Sequence, residues 1–300
     1  MTMKRGLPMA ALSLILALQS SGVSAAPAKP AVTASHSEAV YQAFLPLLSS
    51  SGKLPDAIAY LSRKIYAVTP YQATMMVLRL ENLHKAGLPG WEKRLADPSL
   101  QRQISGRYKP GDSFADLAEG LQNTSQRTLL LSAHVSGYKP ETAEGSIFPV
   151  IDYDAYLKFK PYVTADIKDY LAVMAVEAAH PPAKDNGLVI AWTEVTERAR
   201  TQEKFIRTHP KSNRAAQVKA IYSRYLDYTL YGLNNTPLFH YDNQEMDLEA
   251  EKAYLQTVSG SDSDSEYLRV LKGFMGLLAD NGYKLDDTVE SYRKEHAPKS

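Results

Sequence analysis

Apolar residues recur at the three- and four-residue spacing of an α-helix through most of this 300-residue chain. One apolar face of this kind is formed by Leu54, Ile58, Leu61 and Ile65. Prolines and glycines stand at the ends of several such patterns, and Pro70, for example, begins a helix that we expect to end at Gly87. The spacing predicts an all-α fold of about ten or more helices, packed as stacked helical hairpins.

A segment at about residues 137–152 interrupts the helical pattern and shows no period of about 3.6 residues. Its β-branched, aromatic and proline residues favour extended backbone, and its apolar members are Ile147, Phe148, Val150 and Ile151. We therefore expect one irregular extended insertion here, built as a long loop with one short strand.

The chain contains no cysteine. Disulfide bonds are therefore excluded, and so is the lipid anchor that bacterial lipoproteins carry on an N-terminal cysteine. The apolar core alone must hold the fold together. A chain of this length can bury one large core or two smaller ones.

The first 25 residues have the three parts of a secretory signal peptide. Lys4 and Arg5 give the positive start, an apolar run follows over residues 9–18, and small residues lead up to Ala25. The apolar run is about half as long as a membrane-spanning helix requires. We expect cleavage after Ala25, with Ala26 as the alternative, and a secreted or otherwise extracytoplasmic protein.

Beyond the signal peptide, residues 26–35 are rich in proline and alanine and predict a flexible linker. One helical domain then covers residues 36–300, with a candidate sub-boundary at the glycine- and proline-containing segment 105–111. No second apolar run approaches spanning length, so we expect no transmembrane segment after processing.

Charge gives little support to a nucleic-acid partner. The chain has 34 lysines and arginines against 33 aspartates and glutamates, and Lys4 and Arg5 belong to the signal peptide. The processed protein is therefore nearly neutral, whereas nucleic-acid-binding domains usually carry a basic patch or stripe. We expect no nucleic-acid binding.

Catalytic sequence motifs are absent: there is no zinc-protease motif, phosphate loop, dinucleotide fingerprint or serine-hydrolase elbow. Two Glu-x-x-His pairs, Glu81 with His84 and Glu177 with His180, have the spacing that helical di-iron sites use. We expect both histidines to end their helices, where an imidazole meets the negative end of the helix dipole. We therefore predict no metal and no cofactor.

Tyrosine is in excess, with 19 tyrosines against 7 phenylalanines and 2 tryptophans. A ring with a polar tip suits a groove that holds sugars or peptides, although helix packing with hydroxyls reaching water explains the same excess. Several tyrosines stand beside carboxylates in and after the irregular insertion. The residues that form our candidate binding site are Glu144, Asp152, Tyr153, Asp154 and Tyr156.

Two resemblances add to this interpretation. The segment QEKFIRTHPKSNRAAQVKAIYSRYL, residues 202–226, has its turn at His209-Pro210 and a serine cap at Ser212. It resembles the helix–turn–helix step of tetratricopeptide-type repeats over about one repeat, and no period of about 34 residues is visible elsewhere. The longer run from GYKPETAEGSIFPVIDY to YGLNNTPLF resembles uncharacterised exported helical proteins of the bacterial envelope. This second resemblance implies location and fold class, and it implies no activity.

Together these features favour an exported bacterial protein that binds a protein partner or an envelope polymer without catalysing a reaction. One alternative is a secreted hydrolase that uses two carboxylates on cell-wall glycan, because such enzymes leave no sequence motif. A second alternative is a structural component of a spore or cell surface. The missing catalytic motifs favour a binding protein over an enzyme and leave the enzyme alternative open.

Overall fold

A computed structural model describes residues 34–260 and 264–297. The predicted signal peptide and residues 26–33 of the predicted linker lie outside the described residues. The first helix begins at Ala34, so the last two residues of the predicted linker are helical. The fold class agrees with the helical spacing: the described residues are mainly α-helical, and their strands form only short two-stranded antiparallel hairpins.

The described residues contain twelve α-helices: α1 Ala34–Phe44, α2 Leu54–Lys64, α3 Pro70–Leu95, α4 Pro98–Ile104, α5 Phe114–Ala118, α6 Thr124–Val135, α7 Ala165–Ala179, α8 Trp192–Thr208, α9 Ala215–Tyr231, α10 Leu248–Val258, α11 Glu266–Asp280 and α12 Asp287–His296. Short 3-10 helices lie at Leu45–Leu48, Ser51–Lys53, Ile65–Ala67 and Asp154–Phe159. The strands are β1 Tyr138–Ala143, β2 Ser146–Ile151, β3 Ala183–Lys184, β4 Gly187–Leu188, β5 Gly232–Leu233 and β6 Thr236–Pro237.

Helix α3 runs on to Leu95, so the prediction that it ends at Gly87 is wrong. The additional turns contain Gly90 and Pro89, both of which have poor helix propensity. The same turns bury Trp91 and Leu95 in the core. Most helix stability in proteins comes from such packing, so burial of two large side chains outweighs the local preference to stop.

The insertion at residues 137–152 is a two-stranded β-hairpin, so the prediction of a loop with one strand is wrong in that detail. Strands β1 and β2 pair antiparallel and leave Glu144 and Gly145 as a two-residue turn with φ angles of 49° and 74°. Positive φ at both turn positions matches the twist of paired strands. One face of the hairpin places Tyr138, Ile147 and Ile151 in the core.

Two smaller hairpins lie beside each other in the second half of the chain. Strands β3 and β4 pair around a turn at Asp185 and Asn186, and β5 pairs with β6. The backbone N–H of Asn235, in the β5–β6 turn, donates to the Asn186 carbonyl at 3.0 Å. Strands of two residues are too short to show a hydrophobic period, so the spacing does not predict them.

The apolar residues of the described segments form two cores. The first core packs α1–α7 with hairpin β1–β2, and the second packs α8–α12. Helix α8 joins them, because Phe205 lies in the first core and Val195 in the second. Ile104 and Phe114, on either side of the candidate sub-boundary at 105–111, both belong to the first core. None of the described helices combines the length and apolarity that crossing a membrane requires.

Gly232 ends α9 with φ 71° and ψ −148°, a backbone conformation that glycine alone adopts at low cost. A Cβ at this position would lie 2.3 Å from the Thr236 carbonyl oxygen. We expect Gly232→Ala to lower the free energy of unfolding by about 2 kcal/mol, measured by urea denaturation. In the control Gly90→Ala, the new Cβ meets open space on α3, and a gain of up to about 1 kcal/mol is expected. Equal stability of Gly232→Ala and the wild type would contradict the prediction.

Candidate functional site

A buried carboxylate, Glu81 on α3, organises the first polar cluster, which we call the Glu81 network. Its Oε1 accepts hydrogen bonds from the Tyr153 hydroxyl at 2.6 Å, from the Tyr170 hydroxyl and from the Lys85 ammonium at 2.8 Å. Its Oε2 accepts two N–H bonds from the Arg214 guanidinium, at 2.9 and 2.6 Å. Both carboxylate oxygens are therefore engaged by donors, two of which are cations.

These donors also determine the charge of Glu81. Burial by itself would raise the pKa of Glu81, but hydrogen bonds from Lys85, Tyr153 and Tyr170, with the charge of Arg214, lower it below its usual range. Glu81 is therefore ionised at neutral pH. Because Tyr170 lies on α7 and Arg214 directly precedes α9, the network ties three parts of the chain together and serves the structure.

One helical turn further along α3, His84 is buried beside this network. Its Nε2 lies 2.8 Å from the Ser136 carbonyl oxygen, and its Nδ1 lies 2.6 Å from the Tyr156 hydroxyl. A carbonyl only accepts, so Nε2 carries the hydrogen and Nδ1 accepts the Tyr156 O–H. Burial lowers the pKa of His84 to about 4, even though the Ser136 carbonyl favours the protonated ring. The imidazole is therefore neutral at pH 7.

The structure places four of the predicted site residues around this region. Tyr153 and Tyr156 are buried, and their hydroxyls are committed to Glu81 and His84. The Asp152 carboxylate accepts the backbone N–H groups of Asp154 and Ala155, which start the 3-10 helix. Asp154 itself is exposed, with its carboxylate 3.9 Å from the Lys139 ammonium.

The fifth predicted residue, Glu144, lies away from the other four. It occupies the exposed turn of hairpin β1–β2, whereas Asp152 follows the opposite end of strand β2. Seven or so residues of extended chain separate them by about 20 Å. The two catalytic carboxyl groups of a glycosidase are typically about 5–9.5 Å apart. Glu144 and Asp152 are too far apart to form such a pair. Asp152, His84 and Tyr156 line a cavity of about 210 Å³.

The two Glu-x-x-His pairs are placed differently from each other. His84 lies in the interior of α3, so the prediction that it ends its helix is wrong, because α3 continues past Gly87. His180 does follow the last residue of α7. Within residues 34–260 and 264–297, no group of three or more His, Asp and Glu side chains is arranged to hold a metal ion.

A groove of about 470 Å³ lies between α7 and α8, where the two cores meet, and we call it the α7/α8 groove. Its apolar wall includes Val173 and Val176 from α7 and Phe205 from α8. Its polar lining includes Glu177 and Gln202. Ligand sites favour concave surfaces of this size in which an apolar wall is combined with a few placed polar groups.

Glu177 is the central polar residue of the α7/α8 groove. The Tyr225 hydroxyl lies 2.9 Å from each of its carboxylate oxygens, and one Arg198 nitrogen lies 3.6 Å from its Oε1. Burial raises the pKa of Glu177, and the lowering effects of Tyr225, Arg198 and Arg224 do not cancel that rise. A carboxylate with a raised pKa in a groove is a frequent mark of a functional site.

Gln202, which lines the same groove, has an unpaired acceptor that is buried from solvent. The residue is 1% exposed, and its amide Nε2 donates to Glu177 Oε1 at 3.1 Å. This contact fixes the amide orientation, because turning it over would place oxygen against a carboxylate oxygen. Gln202 Oε1 then has no hydrogen-bond partner in the described part of the chain. Buried acceptors without partners are rare and costly, and this oxygen has almost no accessible surface through which a groove ligand could reach it.

A second groove of about 460 Å³ continues from the first, and Glu194 lines both. Tyr108 and the ion-paired side chains of Glu141 and Lys184 line the second groove. Glu141 belongs to strand β1, so hairpin β1–β2 borders this surface, although the residues selected from it by sequence line neither groove.

The helical spacing does contain a signal for the α7/α8 groove. Val195 and Ala199 mark the buried face of α8, and Arg198 and Gln202 fall on that face at the three- and four-residue steps. A charged or amide side chain on an otherwise apolar face is a candidate functional position, because burial without a partner is costly. From the sequence, Glu177 is considered only as a metal ligand paired with His180, and that role is rejected.

Comparison of the chain with protein-family models, with curated proteins and with solved structures found no match.

Proposed function

We propose that this protein is an exported, non-catalytic binding protein of the bacterial envelope or extracellular space, and that the α7/α8 groove holds its partner. The observation that carries the proposal is a concave surface of about 470 Å³ that combines an apolar wall, in which Val176 is 44% exposed, with the carboxylate of Glu177. Ligand sites favour concave surfaces of this size and composition. The signal-like N-terminus supports export.

The position of the groove also supports binding. It lies beside the α8–α9 pair, whose sequence resembles a single tetratricopeptide-type hairpin, and such hairpins commonly hold partners on their surfaces. The second groove extends the surface towards hairpin β1–β2. The two grooves together suit an extended segment of a protein partner or of an envelope polymer.

Closing the α7/α8 groove should abolish binding. Ala172 is a half-buried residue of α7 that lines the groove, so Ala172→Trp places a large ring in it. The matched control is Ala220→Trp, at an exposed position of α9 outside the groove. The immobilised processed protein is incubated with wall, membrane and supernatant fractions, and the retained material is quantified. We expect the wild type and Ala220→Trp to retain the same material and Ala172→Trp to lose at least about nine-tenths of it.

Equal retention by Ala172→Trp and the control would overturn the proposal that the groove is the binding site. Absence of any retained material under gentle salt conditions would overturn the binding function itself. Circular dichroism of each variant verifies that its helices are intact.

A further inference from the structure

The charged side chains of the second groove are paired within the protein. The Lys184 ammonium donates to the Glu141 carboxylate at 2.6 Å. The Glu194 carboxylate accepts N–H bonds from Nε and Nη2 of the Arg198 guanidinium. Glu141, Lys184 and Glu194 are the acidic residues and the lysine among the described lining residues. Their charges are therefore compensated, and the second groove favours an uncharged ligand over an ion.

Hydroxyl and imidazole groups of the second groove are open to a ligand. The Tyr108 hydroxyl, the Thr142 hydroxyl and the His180 ring line the groove and make no hydrogen bond within the described residues. In the described part of the chain, the side-chain N and O atoms that are both sealed from solvent and without a partner are Gln202 Oε1 and Arg293 Nε. The two hydroxyls are therefore accessible, and His180 is itself exposed. Each hydroxyl can both donate and accept a hydrogen bond.

Strand β1 borders the second groove but is poorly suited to pairing with an added peptide strand. The β1–β2 ladder continues with a bond from the Asp152 N–H to the Gly137 carbonyl at 3.0 Å. Because such bonds alternate along an antiparallel pair, Pro140 and Thr142 direct their backbone groups away from β2. Pro140 has no N–H, and the Thr142 N–H donates to the Glu141 carboxylate at 2.9 Å. Strand addition relies on main-chain hydrogen bonds, so these two positions disfavour an extended protein segment.

Apolar surface completes the second groove. Val189 is 54% exposed, and Pro110 and Pro181 also line the groove. A ligand that matches the whole lining is uncharged, carries groups that donate and accept, and has apolar faces. A sugar residue meets all three requirements, because several hydroxyls surround a ring whose C–H groups are apolar.

We propose, building on the function above, that the partner is a glycan of the bacterial envelope and that the second groove binds its uncharged sugar residues. The hydroxyls of Tyr108 and Thr142 and the His180 ring form hydrogen bonds with sugar hydroxyls, and the sugar C–H groups pack on Val189 and the two prolines. The glycan continues past Glu194, which lines both grooves, into the α7/α8 groove.

Titration calorimetry of the processed protein tests the ligand class with defined probes. The neutral probes are tetramers of β-1,4-linked N-acetylglucosamine, β-1,4-linked glucose and α-1,4-linked glucose. The charged probe is a tetramer of galacturonate, and the peptide probe is a capped octapeptide of alternating alanine and serine. We expect at least one neutral tetramer to bind at least about tenfold more tightly than the charged probe and the peptide. Its affinity should change by less than about twofold between about 0.05 and about 0.5 M sodium chloride, because salt screens charges.

Two substitutions test the hydroxyls while keeping the shapes of the side chains. Tyr108→Phe and Thr142→Val each remove one hydroxyl that lines the second groove. Each should weaken binding of the tightest neutral tetramer by about threefold to tenfold. The matched control Tyr66→Phe removes the hydroxyl of a 63% exposed tyrosine outside both grooves and should bind as the wild type does. Circular dichroism verifies that each variant is folded.

The material retained from envelope fractions gives a second test. The fractions are treated with proteinase K, the proteinase is inactivated, and the fractions are then incubated with the immobilised protein. We expect retention to survive this treatment, because the proteinase does not cleave glycosidic bonds. The tightest neutral tetramer, added in excess, should release the retained material.

A galacturonate tetramer or peptide that binds as tightly as the best neutral tetramer would overturn this inference, and so would unchanged binding by both hydroxyl variants. Failure of every neutral tetramer to bind at millimolar concentration would overturn it as well. If proteinase treatment abolishes retention while Ala172→Trp still loses the untreated material, the proposed binding function stands with a protein partner. If retention is independent of Ala172→Trp, the proposed function fails first.

Discussion

Glu81→Ala should lower the free energy of unfolding by about 3–5 kcal/mol, the largest loss that we expect from a single substitution in this chain. The alanine leaves the Arg214 guanidinium largely buried without its carboxylate, and Lys85 loses the same partner. The hydroxyls of Tyr153 and Tyr170 also lose their acceptor inside the first core. Removing one partner from a buried ion pair costs more than the pair contributes, because the remaining charge stays desolvated. Urea denaturation followed by circular dichroism measures the loss.

The control for this measurement is Glu92→Ala, which removes an exposed glutamate from the same helix and should change stability by less than about 0.5 kcal/mol. Acid titration gives a second readout. Because the pKa of Glu81 is lower in the folded protein than its usual value of 4.5, its contribution is present above that pH and is lost as the pH falls below it. The difference in the free energy of unfolding between the wild type and Glu81→Gln should therefore become smaller as the pH falls below 4.5. Similar losses for Glu81→Ala and Glu92→Ala would show that the network does not stabilise the fold.

The spacing of apolar residues predicts helix positions well where tertiary packing and local helix propensity favour the same residues. Helix α10 begins and ends where its apolar pattern does, at Leu248–Val258. Helix α3 shows the opposite case, because the Gly87 and Pro89 signals are local whereas the burial of Trp91 depends on the assembled core. A sequence pattern reports local preference, and tertiary packing overrides it where the buried area is large.

The candidate site shows a similar division. The sequence selects Tyr153 and Tyr156 as candidate binding residues, whereas their hydroxyls bond Glu81 and His84, each of which is 72 residues away in the chain. Spacing within one helix carries no information on such a long-range pairing. Gln202 is harder still, because its distinguishing property is an oxygen that lacks a partner after every helix has packed. Only the packing of α7 against α8 shows that this buried oxygen lacks a partner.

The Glu81 network and the α7/α8 groove differ in how completely their buried polar groups are hydrogen-bonded. The Glu81 network is fully paired and holds α3, α7 and the start of α9 in place. Beside the α7/α8 groove, the buried Gln202 Oε1 has no partner within the described residues, and an unpaired buried acceptor costs stability. The groove region is therefore less completely paired than the Glu81 network.

His84 should make the stability of the protein depend on pH between about 6.5 and about 4. In this interval the imidazole is protonated in the unfolded chain but stays neutral in the folded protein, where burial lowers its pKa to about 4. The unfolded state therefore binds more protons, and stability falls as the pH falls. The difference between the two pKa values corresponds to about 3 kcal/mol, which is fully present above pH 6.5.

His84→Gln tests this prediction, because a glutamine keeps a donor and an acceptor but does not titrate. Urea denaturation at a series of pH values should show that the wild type loses about 3 kcal/mol more than His84→Gln between neutral pH and pH 4. The matched control His134→Gln replaces an exposed histidine and should keep the wild-type pH dependence. If His84→Gln and the wild type lost stability in parallel over this interval, the buried histidine would not be neutral in the folded protein. The Tyr156 hydroxyl and the Ser136 carbonyl would then have to accommodate an imidazolium, and only the carbonyl accepts a hydrogen bond without rearrangement.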